Sequence, residues 1–171
     1  MKFIIFSTPR SRSFWLAKVL NQGVPEDSVG GVKHDPLGEA DAVTSLPPLY
    51  GMVDTGAVFF AEELKLIYPK AGRIIVKRPL EDIQKSVEKL GWDGSLNPIA
   101  CRELSRLESE VDLVIPYHKL NEYGRVLWQL CDLEQPYPEE YWTRMTKINL
   151  QIEGSPRPGP LLPEVRRKWL G

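Results

Sequence analysis

Arginines and hydroxyl residues are concentrated in one short segment near the start of the chain. From Ser7 to Ser13 the sequence reads STPRSRS, so that Arg10 and Arg12 lie among three serines and a threonine. An apolar run at 2–6 precedes the segment, and a helix-like pattern follows it. Guanidinium groups and the N–H groups at a helix start both attract negative charge. The segment therefore predicts an anion site, with a serine-capped helix beside two solvated arginines as the alternative.

A second basic residue stands at a similar junction further along the chain. Arg78 follows the apolar run RIIVK at 73–77, and Pro79 is suited to the first turn of the helix predicted next. Ser86 comes eight residues after Arg78, close to two helical turns, so both can face the same side. This spacing lets an arginine and a serine grip one phosphate from two sides. A helix start with an ordinary surface serine is the alternative interpretation.

The elements that must position these residues alternate along the chain. Apolar runs predict strands at 2–6, 50–54, 73–77 and 112–117, with 28–32 as a further candidate. Helices are predicted from Ser13 to about Gly23 and at 57–68, 80–90, about 98–109, 119–133 and 138–150, with helical turns within 39–46. Alternation of this kind is typical of a three-layer α/β/α domain with a mostly parallel central sheet. We assign this domain to residues 1–150 and an extended, proline-rich tail to residues 151–171.

The bulk composition excludes several classes of protein. The 171 residues carry 22 Lys+Arg against 23 Asp+Glu, so overall charge does not recruit nucleic acid or an anionic membrane. Cys101 and Cys131 have no CxxC partner, which argues against a zinc or redox motif. Neither a membrane span nor a signal peptide is evident. We predict a cytoplasmic protein without nucleic-acid or membrane partners.

The first motif resembles that of the sulfotransferase family. Residues 9–16, PRSRSFWL, are similar to the family motif P-K/R-S-G-S/T-x-W-L, which follows the first strand. By this resemblance Pro9, Arg10, Ser11, Arg12 and Ser13 bind the 5′-phosphosulfate side of 3′-phosphoadenosine-5′-phosphosulfate (PAPS). Arg12 replaces the usual glycine. This replacement either restricts the backbone where glycine would allow a positive φ, or adds a cation to the site.

The second motif is similar to the family's other nucleotide-binding segment. Residues 78–86, RPLEDIQKS, match R-P-L-D/E-D/E-V/I-x-x-S, a form found in bacterial members. The resemblance implies that Arg78 and Ser86 bind the 3′-phosphate and that the fold is the P-loop-like sulfotransferase fold. It covers residues 1 to about 150 in outline and points to small phage or bacterial members. The glycine-rich R-K-G segment of the family is not recognisable in the tail.

What the resemblance implies chemically is transfer of a sulfuryl group to a hydroxyl or amine acceptor. Arg10 and the serines of the first motif would stabilise charge on the leaving phosphate, so a metal ion is not required. The acceptor and the oligomeric state are left open. The alternatives are a non-catalytic nucleotide-binding or interaction protein on the same fold and a P-loop kinase. The Gly-Lys pair of the Walker motif is missing, which argues against the kinase.

A general base is needed to take the proton of the acceptor. Histidine suits this role at neutral pH, and the chain has two, His34 and His118. We prefer His34, because it is followed by Asp35, which can orient the imidazole or act as the base itself. Proteins that resemble this chain carry a His-Asp or His-Glu pair or a glutamate in this region. Asp54, at the end of a predicted strand, is a third candidate.

Overall fold

A parallel sheet organises the part of the chain that the computed structural model describes, residues 1–147 without the side chains of Met145 and Thr146. Five strands run in the order β2-β3-β1-β4-β5. They are β1 (Phe3–Ser7), β2 (Val32–His34), β3 (Gly51–Asp54), β4 (Gly72–Lys77) and β5 (Leu113–Pro116). The predicted α/β class and parallel sheet are confirmed. The predicted tail and the end of the predicted 138–150 helix lie outside the described residues.

Six α-helices connect or follow the strands in this range. They are α1 (Ser13–Leu20), α2 (Ala61–Ile67), α3 (Leu80–Glu88), α4 (Asn97–Leu107), α5 (Gly124–Leu130) and α6 (Glu139–Lys147). Two predicted helices begin as 3-10 turns, over Ala57–Phe60 and Tyr117–Tyr123. None of the described helices is both long and apolar enough to cross a membrane.

Of two predictions between α1 and β3, the strand lies later than predicted and the helical turn is confirmed. The candidate strand at 28–32 is a bend in which Gly30 has a φ of 69°, and pairing with β3 begins only at Val32. Residues 39–46 contain one helical turn, the 3-10 turn Val43–Ser45, as predicted. Neither segment has a periodic apolar pattern of its own, so contacts with the sheet decide its conformation.

The sheet separates two hydrophobic layers, as expected for three-layer α/β/α packing. Successive residues of β1 point to opposite faces, so that Phe3 and Ile5 join one cluster while Ile4 and Phe6 join the other. The first cluster contains the buried residues of α1, α5 and α6; the second contains those of α2, α4 and the turn before α2. Every residue of β1 is buried, which explains why this strand reads as a continuous apolar run.

The strand register brings the two predicted anion loops together. β1 lies at the centre of the sheet, with Ser7 paired to Val76 of β4. The chain leaves β1 towards α1 on one face and leaves β4 towards α3, which contacts α4 on the other face. This is a topological switch point, where open α/β sheets form a crevice at the carboxyl ends of their strands. Loops 8–12 and 78–79 both open into it.

A close approach between β1 and β3 yields a first prediction. A Cβ at Gly51 would lie 2.3 Å from the Phe3 ring, which is fully buried and paired with Gly51 in register. Gly51→Ala should therefore lower the free energy of unfolding by about 1–3 kcal/mol, because the ring has no room to move. Urea denaturation measures the change.

Gly38→Ala is the matched control, since no atom lies within 4 Å of a Cβ at that position. Its effect should stay within about 0.5 kcal/mol or be slightly stabilising. Equal stability of the Gly51 variant and the wild type would contradict this account of the sheet.

Candidate functional site

The loop between β1 and α1 is a tight turn that contains two left-handed arginines. Arg10 has a φ of 68° and Arg12 a φ of 60°. Ser11 is buried; its N–H donates to the carbonyl of Thr8 at 3.3 Å, and the two hydroxyl oxygens lie 2.7 Å apart. Pro9 stiffens the turn because its ring restricts φ. Position 12 thus has the backbone conformation that favours glycine, and Arg12 adopts it at a cost of about 1–2 kcal/mol.

Arg78 and Ser86 meet the first loop through Arg10. The Arg10 Nε donates to the Ser86 Oγ at 3.0 Å, and Nη1 of Arg78 donates to the Arg10 carbonyl. The residues come from loop 8–12, the end of β4 and the second turn of α3. The two sequence motifs, predicted separately, are therefore in direct contact.

Tyr117, directly after β5, lies beside two of the guanidinium groups. The Arg78 Cζ is 4.6 Å from the centre of the Tyr117 ring and the Arg12 Cζ is 5.8 Å from it. Arg12 also donates to the Asn121 Oδ1 at 3.2 Å. Arg12 therefore combines a glycine-type backbone with a guanidinium that approaches the same ring as Arg78.

Positive charge at this crevice is not neutralised by the described part of the chain. No ion pair there joins Arg10, Arg12 or Arg78 to a carboxylate. Burial lowers the pKa of Arg10, and the nearby charge of Arg78 lowers it further. The Arg78 Nε and the Ser7 Oγ are buried and have no hydrogen-bond partner among these residues. An anion with several oxygen atoms matches this set of donors and charges.

His34, the preferred base, lies against the same loop. Its Nε2 is 2.9 Å from the Ser13 Oγ and 3.3 Å from Oδ2 of Asp35. The Phe14 ring stands edge-on to the imidazole, with centroids 5.5 Å apart. Burial lowers the pKa of His34, which favours the neutral, proton-accepting imidazole at pH 7. Ser13 thus connects the predicted phosphate loop to the predicted base.

Two interacting carboxyl groups lie near His34, the half-buried Asp35 and the buried Asp54. Asp35 accepts the N–H of Thr55 at 2.7 Å, and Asp54 accepts those of Leu37 at 3.0 Å and Gly56 at 2.7 Å. Burial raises the pKa of Asp35 to about 6 and that of Asp54 to about 7, the latter with help from the charge of Asp35. Asp54 is only 1% exposed, which suits a structural role better than proton transfer to a substrate.

The remaining base candidate and two unpredicted residues complete the site. His118 is exposed, and within residues 1–147 no hydrogen bond or ring contact joins it to the loop. The sequence assigned no role to Tyr117, and it did not point to Trp92, whose ring lies under the Arg10 guanidinium. Both are aromatic residues just beyond a strand or helix end, and this position is the sequence feature that could have identified them.

Comparison with known proteins adds no identification. No protein-family model matches the chain, and no curated protein matches it. Function is therefore inferred from the residues and their geometry.

The carboxyl pair yields a pH-dependent prediction. Because the folded state raises both pKa values above 3.8, it binds more protons than the unfolded state between about pH 4 and 7. Stability from these groups is present at low pH and is lost as pH rises through 6 to 7. Asp35→Asn, which can still accept the Thr55 N–H, should be more stabilising at pH 8 than at pH 5, by on the order of 2 kcal/mol.

Urea denaturation at both pH values measures this difference. His34 has a lowered pKa and opposes the trend below pH 6.5, and because it lies 3.3 Å from Asp35 the same comparison in a His34→Gln background separates its contribution. Asp41→Asn, at an exposed aspartate, is the control and should shift stability equally at both pH values. A gain for the Asp35 variant that does not change with pH would refute the shared burial of the pair.

Proposed function

We propose that the protein is a sulfotransferase-like enzyme with a P-loop-like fold. It transfers a sulfuryl group from PAPS to a hydroxyl or amine acceptor. The observation that carries this proposal is the convergence of Arg10, Arg12 and Arg78 at adjacent strand ends without a carboxylate partner in residues 1–147. A donor with a 3′-phosphate and a 5′-phosphosulfate offers the separated negative charges that such a cluster can bind.

Arg78 and Ser86 form the proposed 3′-phosphate site. Both side chains are half-buried; Ser86 contacts the Arg10 side chain and Arg78 contacts the Arg10 carbonyl. The buried, unpaired Arg78 Nε is a donor that a phosphate oxygen can satisfy. On the other side of the loop, Ser11, Ser13 and Arg12 are available for the phosphosulfate, with Pro9 shaping the turn.

The proposed reaction combines sulfuryl transfer with transfer of the acceptor proton to His34, next to Ser13. The acceptor oxygen or nitrogen forms a bond to sulfur while the bond from sulfur to the bridging phosphate oxygen breaks. Asp35 orients the imidazole by accepting the Nε2 proton, which leaves the lone pair of Nδ1 to take the acceptor proton. The Arg12 guanidinium and the N–H groups at the start of α1 stabilise the charge that develops on the leaving phosphate. The proposal needs no metal ion, because these donors perform the electrostatic role.

One titration separates this proposal from the two alternatives. The wild type should bind 3′-phosphoadenosine-5′-phosphate (PAP) in calorimetry. Arg78→Ala and Arg10→Ala should each weaken binding roughly 10- to 100-fold, because a charge-assisted hydrogen bond to phosphate is lost. Arg102→Ala, at an exposed arginine on α4, is the control and should leave the affinity within about threefold.

Other outcomes identify the alternatives. Binding of ATP with magnesium but not of PAP would favour a kinase. Binding of neither nucleotide would favour an interaction protein, and PAP binding without turnover of any acceptor would favour a non-catalytic nucleotide-binding protein.

The base assignment is tested by turnover with sulfur-labelled PAPS and a panel of phenols, alcohols and amines. His34→Gln can keep a hydrogen bond near Ser13 but cannot accept a proton at neutral pH. It should lower kcat by about 10²–10⁴-fold and leave PAP affinity nearly unchanged. His118→Gln is the matched control at the other histidine and should retain activity. Loss of activity in the His118 variant alone would overturn this assignment.

A further inference from the structure

Trp92 supports the guanidinium group at the centre of the site. The Arg10 Cζ lies 5.3 Å from the centre of the Trp92 ring, within the range of a cation–π interaction. Ser86 accepts a hydrogen bond from the Nε of the same guanidinium. Trp92 is half-buried, so that part of its surface faces the protein and part remains open to solvent.

The end of α3 determines where Trp92 lies. Gly91 has a φ of 66°, its N–H donates to the Glu88 carbonyl at 2.9 Å, and the Trp92 N–H donates to the Val87 carbonyl at 3.1 Å. This pair of bonds is a Schellman motif, which reverses the chain at a helix end. Val87 is buried against the protein, which anchors the motif. One helix therefore delivers both the Ser86 hydroxyl and the Trp92 ring to Arg10.

Arg10 needs such support because its charge lies close to another. Arg78 donates to the Arg10 carbonyl, and its charge lowers the pKa of Arg10. Repulsion alone would drive the two guanidinium groups apart into solvent. The face of the Trp92 ring carries negative potential and offsets part of this repulsion. Arg10 is thus kept beside Ser86 before any anion is bound.

We infer that Trp92 is a positioning residue that holds Arg10 beside Ser86 and Arg78, so that all three grip one phosphate group. This inference rests on the proposed function, since that phosphate is the 3′-phosphate of the nucleotide. It assigns Arg10 to the 3′-phosphate through its contact with Ser86, rather than to the 5′-phosphosulfate side that the resemblance implies. Trp92 then determines selectivity: it favours a nucleotide that carries a 3′-phosphate over one that lacks it. A structural role would instead affect both nucleotides alike.

Calorimetry with PAP and with adenosine 5′-monophosphate, which lacks the 3′-phosphate, tests this role. Trp92→Ala should weaken PAP binding by about 5- to 30-fold and binding of the monophosphate by about twofold or less. Trp92→Phe keeps an aromatic face and should restore most of the selectivity. Trp92→Leu keeps apolar volume without that face and should behave like the alanine variant.

Tyr141→Ala is the matched control, because the Tyr141 ring lies 5.4 Å from the Arg144 Cζ in an equivalent pair on α6. It should leave PAP selectivity unchanged. Equal weakening of both nucleotides in Trp92→Ala, or full PAP affinity in Trp92→Leu, would overturn the positioning role while leaving the proposed function intact. Failure of the wild type to bind PAP would overturn the proposed function and this inference together.

Discussion

Parallel pairing of β1 with β4 is the constraint on which the candidate site depends. Ser7 stands opposite Val76, so the loop that contains Arg10 starts beside the loop that contains Arg78. The same register continues outwards, with Lys77 opposite Pro116 and His34 opposite Val53. Residues as far apart in the chain as Arg10 and Tyr117 therefore lie at strand ends along one edge of the sheet. A slip of one residue in the central pair would reverse the faces of β1 and separate these loops.

Charge and backbone strain are concentrated at this same edge. Arg10 and Arg12 have left-handed backbones, and Arg78 donates to the Arg10 carbonyl. This arrangement costs free energy unless other contacts compensate for it. The aromatic faces of Trp92 and Tyr117 offset part of the repulsion, and the packed sheet beneath holds the turn in place. Strain and unpaired charge in a crevice are features of binding sites, where a ligand supplies the missing interactions.

The regular elements of this fold could be predicted because their patterns are local. β1 and β4 read as short apolar runs, since both faces of a central parallel strand are buried. The α3 helix carries its proline and acidic residues in the positions that start a helix. The segment between α1 and β3 could not be predicted in the same way. β2 has only three residues, and its pairing with β3 rather than its own composition makes it a strand.

The sequence alone determined the two basic motifs, their loop positions and the histidine followed by an aspartate, because residue type and spacing are local properties. Only the tertiary structure decided that Arg10 reaches Ser86, that Ser13 meets His34, and that Asp54 is enclosed. It also revealed the contacts of Trp92 and Tyr117 with the arginines, which cannot be predicted from spacing in the sequence. The physical reason is that these contacts join residues from different strand and helix ends, and strand order brings those ends together.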